Sequence, residues 1–484
     1  MGVQMNDISS GISELVWFRR NLRVADNPAL TALADSKQAA PLGVFFYDQQ
    51  YTGSWLGMPR CRPLRAKFLW ESVQDLQEQL QGLGGELLVQ EGEPEDLLPK
   101  ICQSLGITRV HTQRLFAYEE SESAERVLQA LHAIGVELVQ HECYTLWPSA
   151  HVFASHPQPL SSFSKFRRKV GAPENGARKN GVVVAKLWHQ NENGARENGV
   201  VVAKLWHQSL EHTSLTKSPI PIDAELDERS VLLFQGGEKA GRARLHDYCS
   251  KPVGHYKETR NGLIGADYSS KLSPWLNLGC IAPSQVLRAV REYERAHGEN
   301  ASTEWLIVEL LWRDFFQFLA AERGAELFKG IAEPKGEPQG KPSGKVPEDV
   351  NSGSNFEKGT EEHDNDPNFS VPGLSGAFGR WCWGKAENAF LNANMRELEK
   401  TGYMSNRGRQ NAASALIHDM GIDWRLGALW FEANLLDYDP GSNYGNWQYI
   451  AGLAANPRGG SWFNLKKQAQ MYDTKGEYQK LWDA

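Results

Sequence analysis

No CxxC pair occurs in the sequence: the six cysteines, Cys61, Cys102, Cys143, Cys249, Cys280 and Cys382, are scattered. That spacing excludes a compact disulfide framework and offers no metal-ligand pattern, and it reads as reduced thiols in a reducing compartment. No apolar run is long enough to cross a bilayer. Met1 to Ser10 has neither the basic start nor the apolar core of a secretory signal, and it is not Arg- and Ser-rich like a transit peptide. The cytosol or the interior of an organelle (chloroplast or mitochondrion in a eukaryote) is the expected location. Positive charge is short too: 52 Lys and Arg against 59 Asp and Glu give a net charge of −7. This excludes a chain coated in basic surface but leaves room for a local basic groove. No GxGxxG follows the first apolar run, so the standard dinucleotide fingerprint is missing.

What is present describes a globular chain. Its 484 residues, 41% hydrophobic and 23% charged, suffice for two or three domains with sizeable cores. The 16 tryptophans are many for this length and serve core packing, ligand stacking or electron hopping. Leu15–Phe18, Pro41–Tyr47, Glu86–Val89 and Val136–Val139 read as short apolar strands, alternating with helical patterns over Leu64–Leu80 and Glu119–Ile134. That alternation predicts a parallel, Rossmann-like α/β domain over residues 13–150. Residues 151–227 read as a linker in which ENGARKNGVVVAKLWHQ (Glu174–Gln190) recurs as ENGARENGVVVAKLWHQ (Glu192–Gln208). Two copies are too few for a solenoid, so the repeat reads as a duplicated linker segment. Residues 228–484 carry helical periodicity over 238–249, 284–297, 303–323, 387–401, 410–419 and 424–435, which predicts an all-α domain. Within it the stretch 332–368, rich in Pro, Gly, Lys, Glu and Asp, reads as a mobile insertion.

Chemistry-bearing residues gather near the end of the chain. Asn406-Arg407-Gly408-Arg409-Gln410-Asn411 is followed by Asp437 and Asp439 among aromatics. Partly buried carboxylates need cationic or hydrogen-bonding partners, and Arg407 and Arg409 are the nearest candidates. Such a set either forms a structural salt bridge or grips a polar planar heterocycle such as a flavin. In the predicted helix from Thr303, Glu309, Trp312, Arg313 and Phe316 share one face. They form either a Glu–Arg pair under aromatic cover or a cavity wall. Ser269-Ser270-Lys271-Leu272-Ser273-Pro274 precedes a further predicted helix, where hydroxyls and backbone N–H groups suit an anion or simply cap the helix. Tyr256 and Arg260 lie just upstream.

Six stretches occur in order: LVWFRRNLRVADNPAL (Leu15–Leu30), FQGGEKAGRARL (Phe234–Leu245), SSKLSPWLNLG (Ser269–Gly279), ELLWRDFF (Glu309–Phe316), NMRELEKTGYMSNRGRQNAAS (Asn394–Ser414) and DYDPGSNYGNWQY (Asp437–Tyr449). Together they resemble the photolyase/cryptochrome family, and the SNRGRQN form with Tyr449 after Asn-Trp-Gln is similar to its DASH-type branch. The resemblance implies noncovalent FAD in the helical domain. Tyr256, Ser269, Ser270, Lys271, Leu272 and Ser273 would hold the diphosphate side. Arg409 would pair with Asp437 beside the ring system, Asp439 would bond the flavin or ribityl, and Asn443 would face flavin N5. Glu309 would hydrogen-bond a flipped pyrimidine dimer, with Trp312 and Tyr449 packing on it, Asn406 and Arg407 at the rim, and Arg260 in reach of phosphate. Trp447 and Trp424 match the first two members of an electron-transfer chain. An ungapped count puts the third at Val371, with Trp381 and Trp383 as substitutes.

Two departures from the family pattern stand out. Leu115 occupies the place of a glutamate that bonds the antenna folate (5,10-methenyltetrahydrofolate) in relatives, which removes a pterin contact. Trp381 to Asn388 departs from the usual Gly-(Lys/Arg/Gln)-Thr-Gly form, and Asn392 replaces a usual aspartate. The expectation is a monomeric, light-driven enzyme that splits cyclobutane pyrimidine dimers, preferentially in single-stranded DNA. The alternative is a blue-light receptor or regulator that binds nucleic acid with little repair. The lack of a long polar tail after Trp482 favours the former, and no nicotinamide site supports a dark oxidoreductase.

Overall fold

The computed structural model describes residues 12–171, 214–329 and 374–483, except 37, 39, 56, 157, 158, 375 and 454–458. The tandem repeat, the insertion 332–368 and Val371 lie outside the described residues.

Five parallel strands form the N-terminal sheet: β1 (Glu14–Phe18), β2 (Leu42–Tyr47), β5 (Glu86–Glu91), β6 (Arg109–Gln113) and β7 (Glu137–His141). A small hairpin, β3 (Ser54–Trp55) with β4 (Met58–Pro59), stands apart. The sheet order is β5-β2-β1-β6-β7, with Val16 opposite Gly43 and Trp17 opposite Thr112. Every residue of β1 and β2 is buried, as expected for strands covered on both faces. The crossing helices are α1 (Pro28–Asp35), α3 (Pro63–Gly82), α4 (Pro94–Leu105) and α5 (Tyr118–His132), with one turn, α2 (Gln49–Thr52), after β2. Gly43 has no alternative at its position: a Cβ there would lie 2.6 Å from the Phe18 ring.

The linker contributes α6 (Ser149–Ser155) and α7 (Phe163–Val170). Described regular structure after Gly237 is helical throughout: α8 (Glu238–Ser250), α9 (Tyr256–Thr259), α10 (Ser273–Leu278), α11 (Pro283–His297), α12 (Ala301–Arg323), α13 (Gly376–Cys382), α14 (Ala389–Thr401), α15 (Asn406–Ser414), α16 (Trp424–Asn434), α17 (Pro440–Ala451), α18 (Leu465–Tyr472) and α19 (Glu477–Leu481). The caps are chemical. Asn300 accepts from the Ser302 and Thr303 amides to start α12. Ser405 accepts from Gly408 to start α15, and Asp439 accepts from Ser442 to start α17. The arginine-rich stretch Asn406–Asn411 therefore opens α15, which passes into a π turn at Ala415–Asp419. Among the described residues no helix is long and apolar enough to cross a membrane.

Charged and polar side chains fasten the two halves. Arg60 Nε meets Glu432 at 2.7 Å, Arg62 donates to Asn434 at 2.7 Å, and Arg65 donates to the Glu432 carbonyl at 2.8 Å. Asp314 of α12 accepts from the Leu146 and Trp147 amides, which ties the end of the α/β unit to the helix that carries Glu309.

Candidate active site

The long helix α12 supplies the centre of the site. Glu309 accepts from Arg260 at 2.6 Å and from the Trp305 indole N–H at 2.9 Å. Trp305, one turn earlier on the same face, also lies beneath Arg260 and Lys257, whose cations stand 4.8 and 5.4 Å from its ring centroid. Burial pushes the Glu309 carboxyl above its ordinary value, and Arg260 and Trp305 pull it part of the way back. Arg313 does not pair with Glu309. It donates to the Tyr144 and Leu276 carbonyls and lies over the Tyr144 ring, so it serves the seam between the halves. Trp312 packs face to face on Phe163, with centroids 3.8 Å apart, and edge to face with Tyr449 at 6.4 Å. A carboxyl, two indoles and a phenol thus share one wall.

A second group of site residues comes from α15 and the segment before α17. Arg409 meets Asp437 at 2.9 Å and donates from Nε to the Met404 carbonyl. Arg407 takes no part in that pair. It bonds Gln410 and Asn261 and lies over Tyr472 at 5.0 Å, next to the exposed Asn406. Asp439 is bound by Tyr144, by Gln317 and by the Ser442 amide at 3.0, 2.7 and 2.6 Å. Asn443 donates to the Ala428 carbonyl at 3.0 Å. Two buried oxygens, Asp437 Oδ1 and, from α12, Gln317 Oε1, have no partner among the described residues. Buried acceptors left unpaired are costly, so they suit a ligand that brings N–H or O–H groups. A polar planar ring with a ribityl chain meets that requirement, and the residues present fit FAD.

The loop into α10 brings Ser269 against the Tyr403 hydroxyl, while the Ser269 and Ser270 carbonyls accept from Arg244. Lys271, at φ +55°, turns its ammonium back onto the Ala266 carbonyl and the Tyr268 ring. Burial lowers its pKa to about 6. Leu272 is core, Ser273 opens α10, and Tyr256 is buried against Tyr248. Behind the site Trp447 abuts α16, where a Cβ on Gly427 would come within 2.2 Å of its indole. It meets the Trp381 indole at 6.3 Å, whereas Trp424 meets Tyr444 at 6.1 Å and Trp383 meets Trp430 at 5.2 Å. Asn392, in place of the usual aspartate, clamps Ala386 by accepting from its amide and donating to its carbonyl, which closes the divergent loop after Trp381. Leu115 is buried just after β6, beside Arg19 and Asp48, and its side chain offers no hydrogen-bonding group.

The DNA photolyase family model matches residues 14–186, and the model for the FAD binding domain of DNA photolyase matches residues 305–483. A cryptochrome DASH of Synechocystis is 37% identical over 97% of this chain and 86% of its own. The chain belongs to the photolyase/cryptochrome family, in its cryptochrome DASH branch. The Xenopus laevis cryptochrome DASH is 35% identical over 96% of this chain and 81% of its own. The crystal structure of the Synechocystis cryptochrome superposes with a TM-score of 0.80 at 36% identity, covering 97% of this chain and 88% of that one. A class III photolyase from Agrobacterium tumefaciens shares the fold, with a TM-score of 0.71 at 22% identity over 98% of this chain and 86% of its own. Sequence reasoning missed Trp305, Gln317 and Tyr144. Trp305 lies one turn before Glu309, and that spacing was a usable signal.

Proposed function

We propose that this cryptochrome DASH relative repairs cyclobutane pyrimidine dimers with light, preferentially in single-stranded DNA. The observation that carries the reading is Glu309, a half-buried carboxyl gripped by Arg260 and Trp305 on the same wall as Trp312 and Tyr449. FAD, when bound in reduced form and photoexcited, would supply the electron that opens the cyclobutane ring and would take it back from the split pyrimidines.

Arg409 and Asp437 hold the cofactor side, with Asp437 Oδ1 accepting from the ring and Asp439 and Asn443 fixing the adjoining turn. Ser269, Ser270, Lys271, Leu272, Ser273 and Tyr256 line the diphosphate end. Burial raises the pKa of Glu309, which eases the protonation that would let it donate a hydrogen bond to a pyrimidine carbonyl as negative charge develops there. Trp312 and Tyr449 stack on the extruded bases, and Asn406, Arg407 and Arg260 meet the flanking backbone. Flipping costs least where the strand is already unpaired, which sets the preference for single strands. The test compares dimer loss in lit reactions on single-stranded and duplex substrates of one sequence. Faster loss on the single strand is expected. Equal loss in light and dark would leave a light receptor that binds nucleic acid.

A further inference from the structure

Helix α7 has no part in the site described above, yet it is fastened to it. Its buried residues, Phe163, Phe166 and Val170, follow helical spacing. Phe163 lies flat on Trp312, with centroids 3.8 Å apart and planes 10° from parallel. Phe166 packs on Phe315 and Phe318. This apolar stripe sets α7 along α12, beside the wall that carries Glu309. The opposite face of α7 bears Lys165, Arg168 and Lys169, all exposed. Among the described residues, none of the three is within ion-pairing distance of a carboxylate. Arg167, by contrast, is taken by Glu304 at 2.6 Å. Basic residues in a last turn favour the helix end, but that effect is worth only a few tenths of a kcal/mol to ~1 kcal/mol and does not call for three of them on one outer face. In a chain of net charge −7 they form a local basic strip.

We propose that α7 is a second binding element for single-stranded DNA: Lys165, Arg168 and Lys169 neutralise phosphates on one flank of the site, while Arg260 and Arg407 do so on the other. The Phe163–Trp312 stack makes the strip and the base-stacking indole one rigid unit. A strand with a base against Trp312 then continues along α7. This rests on the reading that the site takes a nucleic-acid strand.

The test uses flavin-loaded protein and a dye-labelled, undamaged oligothymidylate, titrated at several salt concentrations. The parent is expected to bind with an affinity that falls steeply with salt. Each lost phosphate contact on a single strand reduces the slope of log K against log salt by about 0.7. Lys165→Gln/Arg168→Gln/Lys169→Gln should therefore lower the slope by about 2 and weaken low-salt binding roughly tenfold. Arg168→Gln alone should lower the slope by about 0.7. Flavin absorbance reports that the variants are folded. Slopes and affinities equal to the parent's would overturn the assignment to α7 and leave the site reading standing. A parent that binds oligothymidylate without salt dependence would overturn both.

Discussion

Trp447 and Trp381 meet edge to face with ring centroids 6.3 Å apart, and Phe431 packs against both. Trp381 is fully buried and donates its indole N–H to the Ala412 carbonyl. If Trp447 relays an electron to the flavin, Trp381, in ring contact with it, is one candidate donor, and Trp424, whose ring meets Tyr444, is the other. Trp381→Phe and Trp424→Phe are each expected to slow the blue-light bleaching of bound oxidised flavin in the presence of a thiol reductant, and the double variant to stop it. Bleaching by the double variant at the parent rate would remove both residues from the route.

Asp437 is the only carboxylate paired with Arg409 among the described residues. Asp437→Ala leaves a largely buried guanidinium without its counter-charge, a change that costs ~3–5 kcal/mol. It also removes the acceptor Oδ1 that the cofactor would use. Purified Asp437→Ala should carry much less FAD than the parent and unfold at lower denaturant concentration. Full flavin content with parent stability would contradict the placement of the cofactor beside this pair.

Glu397 is buried and accepts from the Tyr478 hydroxyl at 2.7 Å. Burial raises its pKa from an ordinary value near 4.5 to about 7. The folded state thus holds this proton more tightly than the unfolded chain does. The stabilisation is complete below the unfolded value and is lost as pH rises through the folded one. Glu397→Gln keeps an acceptor for Tyr478 but no longer titrates. Relative to the parent it should gain stability between about pH 4.5 and pH 7, by up to ~3 kcal/mol, in urea unfolding at fixed salt. A parent–variant difference that does not change with pH would contradict the assignment.

The parallel sheet was legible where strands were apolar and invisible where burial is polar. Strand β6 reads Arg-Val-His-Thr-Gln, without an apolar run. It is buried because His111 bonds Glu14, Thr112 bonds the Trp17 carbonyl and Gln113 accepts from the Arg20 amide. None of these contacts leaves a periodic trace in the sequence. Helix α4 was hidden by Pro99, which sits inside it.

In the site, the Arg409–Asp437 pair was anticipated from matching motifs. Local spacing suggested a Glu309–Arg313 contact instead of the pair that forms. Arg260, 49 residues away in sequence, holds Glu309 because α9 packs on α12. A helical repeat places residues on a face. It does not say which neighbouring element supplies the counter-charge.

In the repair proposed here, Glu309 acts on a bound dimer under light. The most direct measurement is the number of intact dimers left in a single-stranded oligonucleotide after blue-light exposure, with a dark control, for flavin-reduced parent and Glu309→Gln. The parent should remove dimers in the light only. The variant, with oligonucleotide affinity close to the parent's, should remove them several-fold less efficiently per photon absorbed. Parent reactions that retain as many dimers in the light as in the dark would contradict the account.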